Sequence, residues 1–564
     1  MAYRNDPDRH HPAIPGLVEA LEQRRIDRRE FLRTVTLLGM AAPLAYTIAG
    51  KVLGEPLIGQ AKAATPKKGG TLKIGMRVPA VDNPATFSWV YDSNIVRQAN
   101  DYLTRTGGDN VTRPCLSEWE ASEDLKTWTL KLRKDVKWSN GEALVADHVI
   151  WNIQRWIDPA VGSSALANFK GFMLKDKDTG EKDDKGNPKM TTELWDANAI
   201  EKKDDHTIVL HGLSPTLAMP ENLFHYPCLI LHPKDGGKWG VGALGTGAFE
   251  PVEIEVQKKA VLKARTGYWG EGPYLDQLEF HDLGDEAATK LNALSSKQVD
   301  GLYDPDIKIF EQCKKLEHIQ IHEVTTAQTA VARMRVDSDP FKDPRVRKAV
   351  RMAINPEATL KIAHRGLGAP GESHHVAPVH PEYVKTDFKY SDPEGAKKLL
   401  AEAGHPDGIE VTLNCKKDPD WEAIACQAMV QQWAKAGIKV KLEVMPSANY
   451  WEVWTKVPFG FTNWTHRPLG VMVLALAYRT GVPWNESGYA NPKFDALITK
   501  AEGILDVEKR KVVMKEIEEL MDEDGPIALP LWRAIFMPFD KRLKGFVPHP
   551  TDYYFAEEWY LEDA

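Results

Sequence analysis

The sequence predicts a mixed α/β protein with at least two domains. Three observations carry that reading. The chain has 564 residues, more than one compact core accommodates. Residues 127–141 alternate apolar and polar side chains and end on Asn140-Gly141, as a strand entering a hairpin-type turn does. Residues 409–444 read strand, helix, strand, which implies a parallel pair joined by a right-handed crossover.

The elements follow in chain order. Residues 24–33, RRIDRREFLR, are basic, and 34–50, TVTLLGMAAPLAYTIAG, carry no charge. That apolar run has the length of a signal h-region and is too short and too rich in Gly, Ala and Pro for a comfortable membrane span. AKAA at 61–64 offers a cleavage site after Ala63. The stretch DRREFLR resembles a twin-arginine export signal, with Arg28 and Arg29 as the pair; an uncleaved anchor helix is the competing reading. Residues 1–63 are therefore set aside from fold reasoning. GGTLKIGM (69–76) reads as a first strand after a Gly pair. Trp128, Leu130 and Leu132, then Val136 and Trp138, give a strand pattern, and Val149, Ile150, Ile153 and Ile157 fall at helical spacing. Asp343-Pro344 opens a helix with Val346, Val350 and Ala353 on one face. Ser391 and Glu394 have capping-box spacing ahead of a helix that stops at Gly404. IEVTL (409–413), a long helix over 420–436 and IKVKLEV (438–444) complete the crossover unit, and two further helices are expected at 493–503 and 506–522.

Composition narrows function. The chain is 43% hydrophobic and 27% charged with a net charge of -8, so it is globular and a poor candidate for nonspecific nucleic-acid binding, which needs a basic face. Its five cysteines, Cys115, Cys228, Cys313, Cys415 and Cys426, contain no CxxC. An odd number cannot all pair internally, though one or two disulfides are open in an oxidising compartment.

The chemical motifs are few. GVGALG (240–245) matches a lone GxGxxG, but a loop precedes it and an alternating strand follows it, the reverse of a dinucleotide site. KDKDTGEKDDKGNPKM (175–190) looks superficially like a calcium loop, but Gly180 falls where an oxygen ligand is required, so a solvated surface loop is expected. No P-loop, GxSxG or HExxH occurs, and no base stands beside a nucleophile, so no catalytic residue, cofactor or metal is expected. His374, His375 and His380, with His364 nearby, lack the spacing of a helix-borne metal site. Residues 461–485, FTNWTHRPLGVMVLALAYRTGVPWN, concentrate Trp464, His466, Arg467, Tyr478, Arg479 and Trp484 around an apolar segment. Arginine binds carboxylates in bidentate fashion and Trp and Tyr provide flat apolar walls; an ordinary helix with charged ends is the equal alternative.

Across 69–546 the chain resembles the extracellular solute-binding proteins of family 5, the peptide, opine and nickel class of ABC importers. The collinear stretches are LSEWEASEDLKTWTLKLRKDVKWSNGEALVADHVIWNIQR (116–155), GTGAFE (245–250), GYWGEGPYLDQLEF (267–280), DPRVRKAVRMAINPE (343–357), DPEGAKKLLAEAG (392–404), AGIKVKLEV (436–444) and PIALPLWR (526–533). The resemblance implies a periplasmic-binding-protein type II-like fold with two lobes and a two-segment hinge. Its large lobe would be discontinuous, 64–330 plus 530–564, its small lobe 331–529, and the crossings near 330–336 and 525–531. It implies a periplasmic protein that captures a small solute without chemistry and delivers it to a membrane permease and ATPase, after export by the twin-arginine translocase; a binding sensor or chaperone on the same fold is the alternative. Peptide-binding members carry, in the stretch aligned with 461–470, an Asp that pairs with the ligand's amino terminus. This chain reads TNWTHRPLG there and has no Asp or Glu between Phe459 and Trp484. The expected ligand is accordingly anionic or zwitterionic, anchored otherwise than through a free α-amine. Asn463, Trp464, His466, Arg467, Tyr478, Arg479 and Trp484 are the candidate site. By the same resemblance His374 and His375, on the loop 364–378, and Phe87, on the turn 78–89, approach the ligand.

Overall fold

The computed structural model describes residues 11–38, 40, 42–53, 66–182 and 188–564. The main sheet has twelve strands. Its first half runs Phe249–Glu255, Lys259–Ala264, Gln277–His281, Thr71–Gly75 and Gly301–Leu302. The second half runs Leu531–Asp540, Ile319–Met334, Phe459–Trp464, Ile409–Lys416 and Ile438–Met445. Thr71–Gly75, the expected first strand, lies at the centre in parallel with Gln277–His281.

The strand Ile319–Met334 links two regions. Its residues 319–325 pair with 540–534, the register shifts between Thr325 and Thr329, and 329–334 then pair with 464–459. The return segment runs beside it: Ile527–Ala528 pairs with Arg333 and Ala332 before Leu531–Asp540 begins. Two adjacent segments thus pass from one region to the other. The buried apolar residues form two clusters. The first contains Trp128, Leu130, Val149, Leu278 and Phe280; the second contains Val346, Val350, Leu413, Met429, Trp433 and Phe461. Their membership does not divide at these segments: Leu474 and Ile517 join the first, Leu294 and Phe310 the second.

Local signals explain most elements. Trp128, Leu130 and Leu132 are buried on a four-stranded antiparallel sheet, and Gly141 takes the left-handed φ of +89° that the turn demands. Val149, Ile153 and Ile157 form the buried face of the helix Ala146–Ile157. The crossover unit is formed as expected: Ile409–Lys416 and Ile438–Met445 pair in parallel, with the helix Asp420–Lys435 between them. Asp343 caps Pro344–Met352 by accepting from the Arg345 N–H at 2.8 Å. The later helices are Pro492–Glu502 and Val507–Asp524.

Two expectations are corrected. The helix Pro393–Glu402 is capped by Asp392, which accepts from Gly395 N–H at 3.0 Å, while Ser391 lies outside at φ +58°. An Asp carboxylate one residue closer to the helix outcompetes the serine. The charged excursion forms an exposed two-stranded ribbon, Leu174–Lys182 with Pro188–Leu194, because cross-strand pairs such as Lys177–Glu193 at 2.7 Å offset its lack of a core. The basic leader forms three helices, Ile14–Glu22, Arg28–Leu37 and Ala42–Leu53, that join the first core through Leu21, Phe31, Val35 and Leu37. The AKAA site at 61–64 lies outside the described residues. Among those residues no helix is long and apolar enough to cross a membrane. All five cysteines are free thiols.

GVGALG is a turn, as expected. Gly242 has φ +87°, and a Cβ at Gly245 would come within 2.1 Å of the Ala99 carbonyl oxygen. The glycine admits the 96–100 backbone and no phosphate.

Candidate ligand-binding cleft

Two adjoining cavities, of about 290 and 150 Å³, share Trp89, Trp451, Asn463 and Thr465. They open between the turn after the first strand and the region carrying Asp420–Lys435. The larger is walled by six aromatic residues, Trp89, Tyr226, Trp451, Trp454, Trp464 and Trp484. Trp89 precedes the helix Val90–Val96 and meets Trp451 edge to face at 4.6 Å. Tyr226 stacks with Trp484 at 6.2 Å, which in turn meets Trp464 at 6.0 Å. Trp464 is held by its indole N–H, which donates to Glu486 at 3.0 Å; Glu486 also accepts from Thr462 at 2.6 Å and Arg333 at 3.3 Å.

Arg467 closes the aromatic cavity. It is 4% exposed and sits over the Tyr226 ring at 5.3 Å. Its guanidinium donates to the Thr465 hydroxyl, to the His466 carbonyl at 3.0 Å and to His225 Nε2 at 3.0 Å. Burial, and then the Arg467 charge, hold His225 well below the usual histidine range, so the ring is neutral, with its proton on Nδ1. Among the described residues no carboxylate lies within ion-pair distance of Arg467, and its Nε makes no hydrogen bond.

The smaller cavity is rich in ion pairs and in carboxylates: Asp285, Asp304, Asp306, Asp418, Asp420 and Glu422 line it against Arg77, Lys290, Lys416 and Arg533. Arg77 pairs with Asp285, and Arg533 with Asp304 and with Gln328 at 2.7 Å. Lys416 donates to Glu422 and to Asn463, each at 2.8 Å. Burial raises the carboxyl groups of Asp418 and Asp306 above the usual range.

Of the residues singled out in the sequence, Asn463, Trp464, Arg467 and Trp484 come together on the larger cavity. His466 is buried behind it, accepting from Ala327 N–H at 3.0 Å and contacting Asn110 at 3.3 Å. Tyr478 bonds His375 at 2.9 Å, and the His375 ring lies 5.2 Å from Trp464, backing the cavity wall. His374 faces Glu372 at 3.2 Å. Arg479 pairs with Glu502 at 2.6 Å and bonds Thr499 at 3.0 Å. Phe87 is buried, while Ser88 and Trp89 just after it reach the cavity. Sequence reasoning missed Trp89, Tyr226, Lys416, Trp451, Trp454 and Arg533; the dense aromatics of SANYWEVW (447–454) were the available signal.

One further cluster, Glu142, His148 and His232, brings three ligand-type atoms within 4.8 Å. His148 Nδ1 accepts from the Trp138 indole at 3.1 Å, and His232 Nδ1 accepts from Lys234 N–H at 3.1 Å. His232 Nε2 lies 3.1 Å from a Glu142 carboxylate oxygen.

Residues 112–486 match the bacterial extracellular solute-binding proteins, family 5. The chain belongs to that family. It is 26% identical over 550 residues to the dipeptide-binding protein DppE of Bacillus subtilis, covering 92% of this chain and 97% of the relative. It is 25% identical over 497 residues to heme-binding protein A of Haemophilus influenzae, covering 82% and 86%. Among solved structures, the fold matches the binding protein AgaA from A. tumefaciens R10, in complex with agropinic acid, with TM-score 0.75 and 22% identity over 87% of this chain and 99% of that one. A dipeptide-binding protein from Pseudoalteromonas sp. SM9913, in complex with Met-Leu, matches with TM-score 0.75 and 17% identity over 87% and 100%. The fold is therefore that of the type II-like periplasmic binding proteins, and this family member is a solute-binding protein.

Proposed function

We propose that this chain is the periplasmic solute-capturing component of an ABC importer, and that its ligand is a small organic anion or zwitterion with a flat or apolar body. The observation that carries the ligand class is Arg467, a buried guanidinium with no carboxylate partner at the end of a cavity walled by six aromatic residues. A ligand carboxylate takes the place that a counter-ion would fill, and the tryptophans enclose its body. Peptide-like, opine-like and other carboxylate solutes fit this description. The two adjacent segments at 325–334 and 527–532 serve as the hinge between a large and a small lobe, and the closed form is handed to a membrane permease and its ATPase. The chain performs no chemistry on its cargo in this reading, in keeping with a family of binding proteins.

A thermal-shift screen tests this reading with free dipeptides, N-acetylated peptides, opine-type dicarboxylates, neutral oligosaccharides and divalent metals. A ligand at a hundredfold excess over its Kd stabilises the protein by about 2.7 kcal/mol. Shifts with amine-blocked carboxylates support the Arg467 anchor. Shifts confined to neutral sugars or metals overturn it.

A further inference from the structure

The N-terminal segment carries charges where a freely extended leader needs none buried. Glu30 and Arg33 lie on the helix Arg28–Leu37 and are both buried. They bond one another twice at 3.0 Å. Arg33 reaches Glu221 of the body at 3.5 Å, and Glu30 faces Arg510 of the helix Val507–Asp524 at 3.5 Å. The four side chains form a ladder of alternating sign, Arg510, Glu30, Arg33, Glu221, with side-chain exposures of 0%, 6%, 2% and 1%. Glu382, fully buried, lies 3.9 Å from Arg510. Neither Glu221 oxygen makes a hydrogen bond, so its described compensation comes from Arg33. The body thus holds a buried charge whose partner the segment supplies, and an unpaired buried charge is costly.

Other contacts repeat the pattern. The Trp119 indole donates to the Leu37 carbonyl at 2.6 Å. Tyr46 bonds Asp109 and accepts from Arg113 at 2.9 Å. Phe31, Val35 and Leu37 enter the core without exposed surface.

We propose that the folded body carries a docking groove for its own N-terminal segment, 14–53, and holds it there through the ladder Arg510–Glu30–Arg33–Glu221. Docking leaves Arg29 exposed and buries Phe31 and Leu32 beside it. Any factor that reads this stretch as an extended peptide must first undock it. The segment is then a structural part of the folded protein and its exposure a controlled step.

Hydrogen exchange on the full-length chain decides the matter. The amides of 30–37 are expected to exchange at least about a hundredfold more slowly than in an unstructured peptide. Glu30→Arg places a cation between Arg33 and Arg510 and is expected to bring those amides to near-peptide rates, with Ile319–Met334 still protected. Arg33→Gln provides the same reading if Glu30→Arg fails to fold. Wild-type amides of 30–37 at peptide rates beside a protected Ile319–Met334 overturn the docking. Full protection retained in both variants overturns the charge ladder as its hold. Ligand binding is a separate readout, so failure here leaves the Arg467 site standing.

Discussion

The two ends of the cleft handle charge in opposite ways. At the ion-paired end, Arg77, Arg533 and Lys416 each meet a carboxylate: Asp285, Asp304 and Glu422. At the aromatic end, Arg467 meets a hydroxyl, a carbonyl and a neutral imidazole. The same contrast recurs within one stretch of sequence. Arg467 and Arg479 are twelve positions apart, yet Arg479 has Glu502 at 2.6 Å. A buried cation with its own carboxylate is a scaffold element. Arg467, without one, is the anchor proposed above for a ligand anion. Charge alone marks neither; the partner decides.

Breaking the ion-paired end is expected to have the largest effect. Glu422→Ala leaves Lys416 buried with Asn463 as its remaining partner and should cost about 3–5 kcal/mol of stability in urea denaturation. A loss under about 1 kcal/mol would make Lys416 a second free cation and erase the contrast. Next comes the aromatic end. Arg467→Ala should weaken carboxylate-ligand binding at least about tenfold, because a hydrogen bond to a charged group contributes roughly 1.5–3 kcal/mol. Isothermal titration that returns an unchanged Kd removes Arg467 as the anchor.

A pH profile sharpens the comparison at the shared wall. Asp92 accepts from the Trp89 N–H at 3.3 Å at the start of the helix Val90–Val96. Burial pushes its carboxyl up to about 7 from an ordinary 3.8. The native state therefore binds the Asp92 proton more tightly than the unfolded chain does. The resulting stability is full below about pH 4 and is lost as pH rises through about 7. Asp92→Asn should remove that component, so the variant's Tm falls less than the wild type's over this interval. Parallel Tm profiles would show that Asp92 is ionised in the native state throughout.

Much of the fold could be read from local signals. The alternation at 127–132, the cap at Asp343 and the crossover unit at 409–445 are short-range consequences of pleat and helix periods. The cap at 391–392 was displaced by one residue because Ser and Asp compete for the same N–H groups and sequence does not rank them. The leader was set aside on its charge pattern, since a basic run before an apolar one looks alike whether exported or docked.

The site was half legible. The stretch 461–485 supplied Asn463, Trp464, Arg467 and Trp484, but its composition could not separate Arg467 from Arg479. That separation depends on Glu502 reaching one arginine while His225, 242 positions away in the chain, reaches the other. The sequence by itself determined the α/β class, the family and the aromatic, arginine-bearing character of the binding stretch, because periodicity and collinear motifs are local properties of the chain. Tertiary structure alone decided which charges are neutralised, which aromatics line one cavity, and that Arg33 finds Glu221. Burial turns those long-range meetings into strong interactions, and only the folded chain brings the groups together.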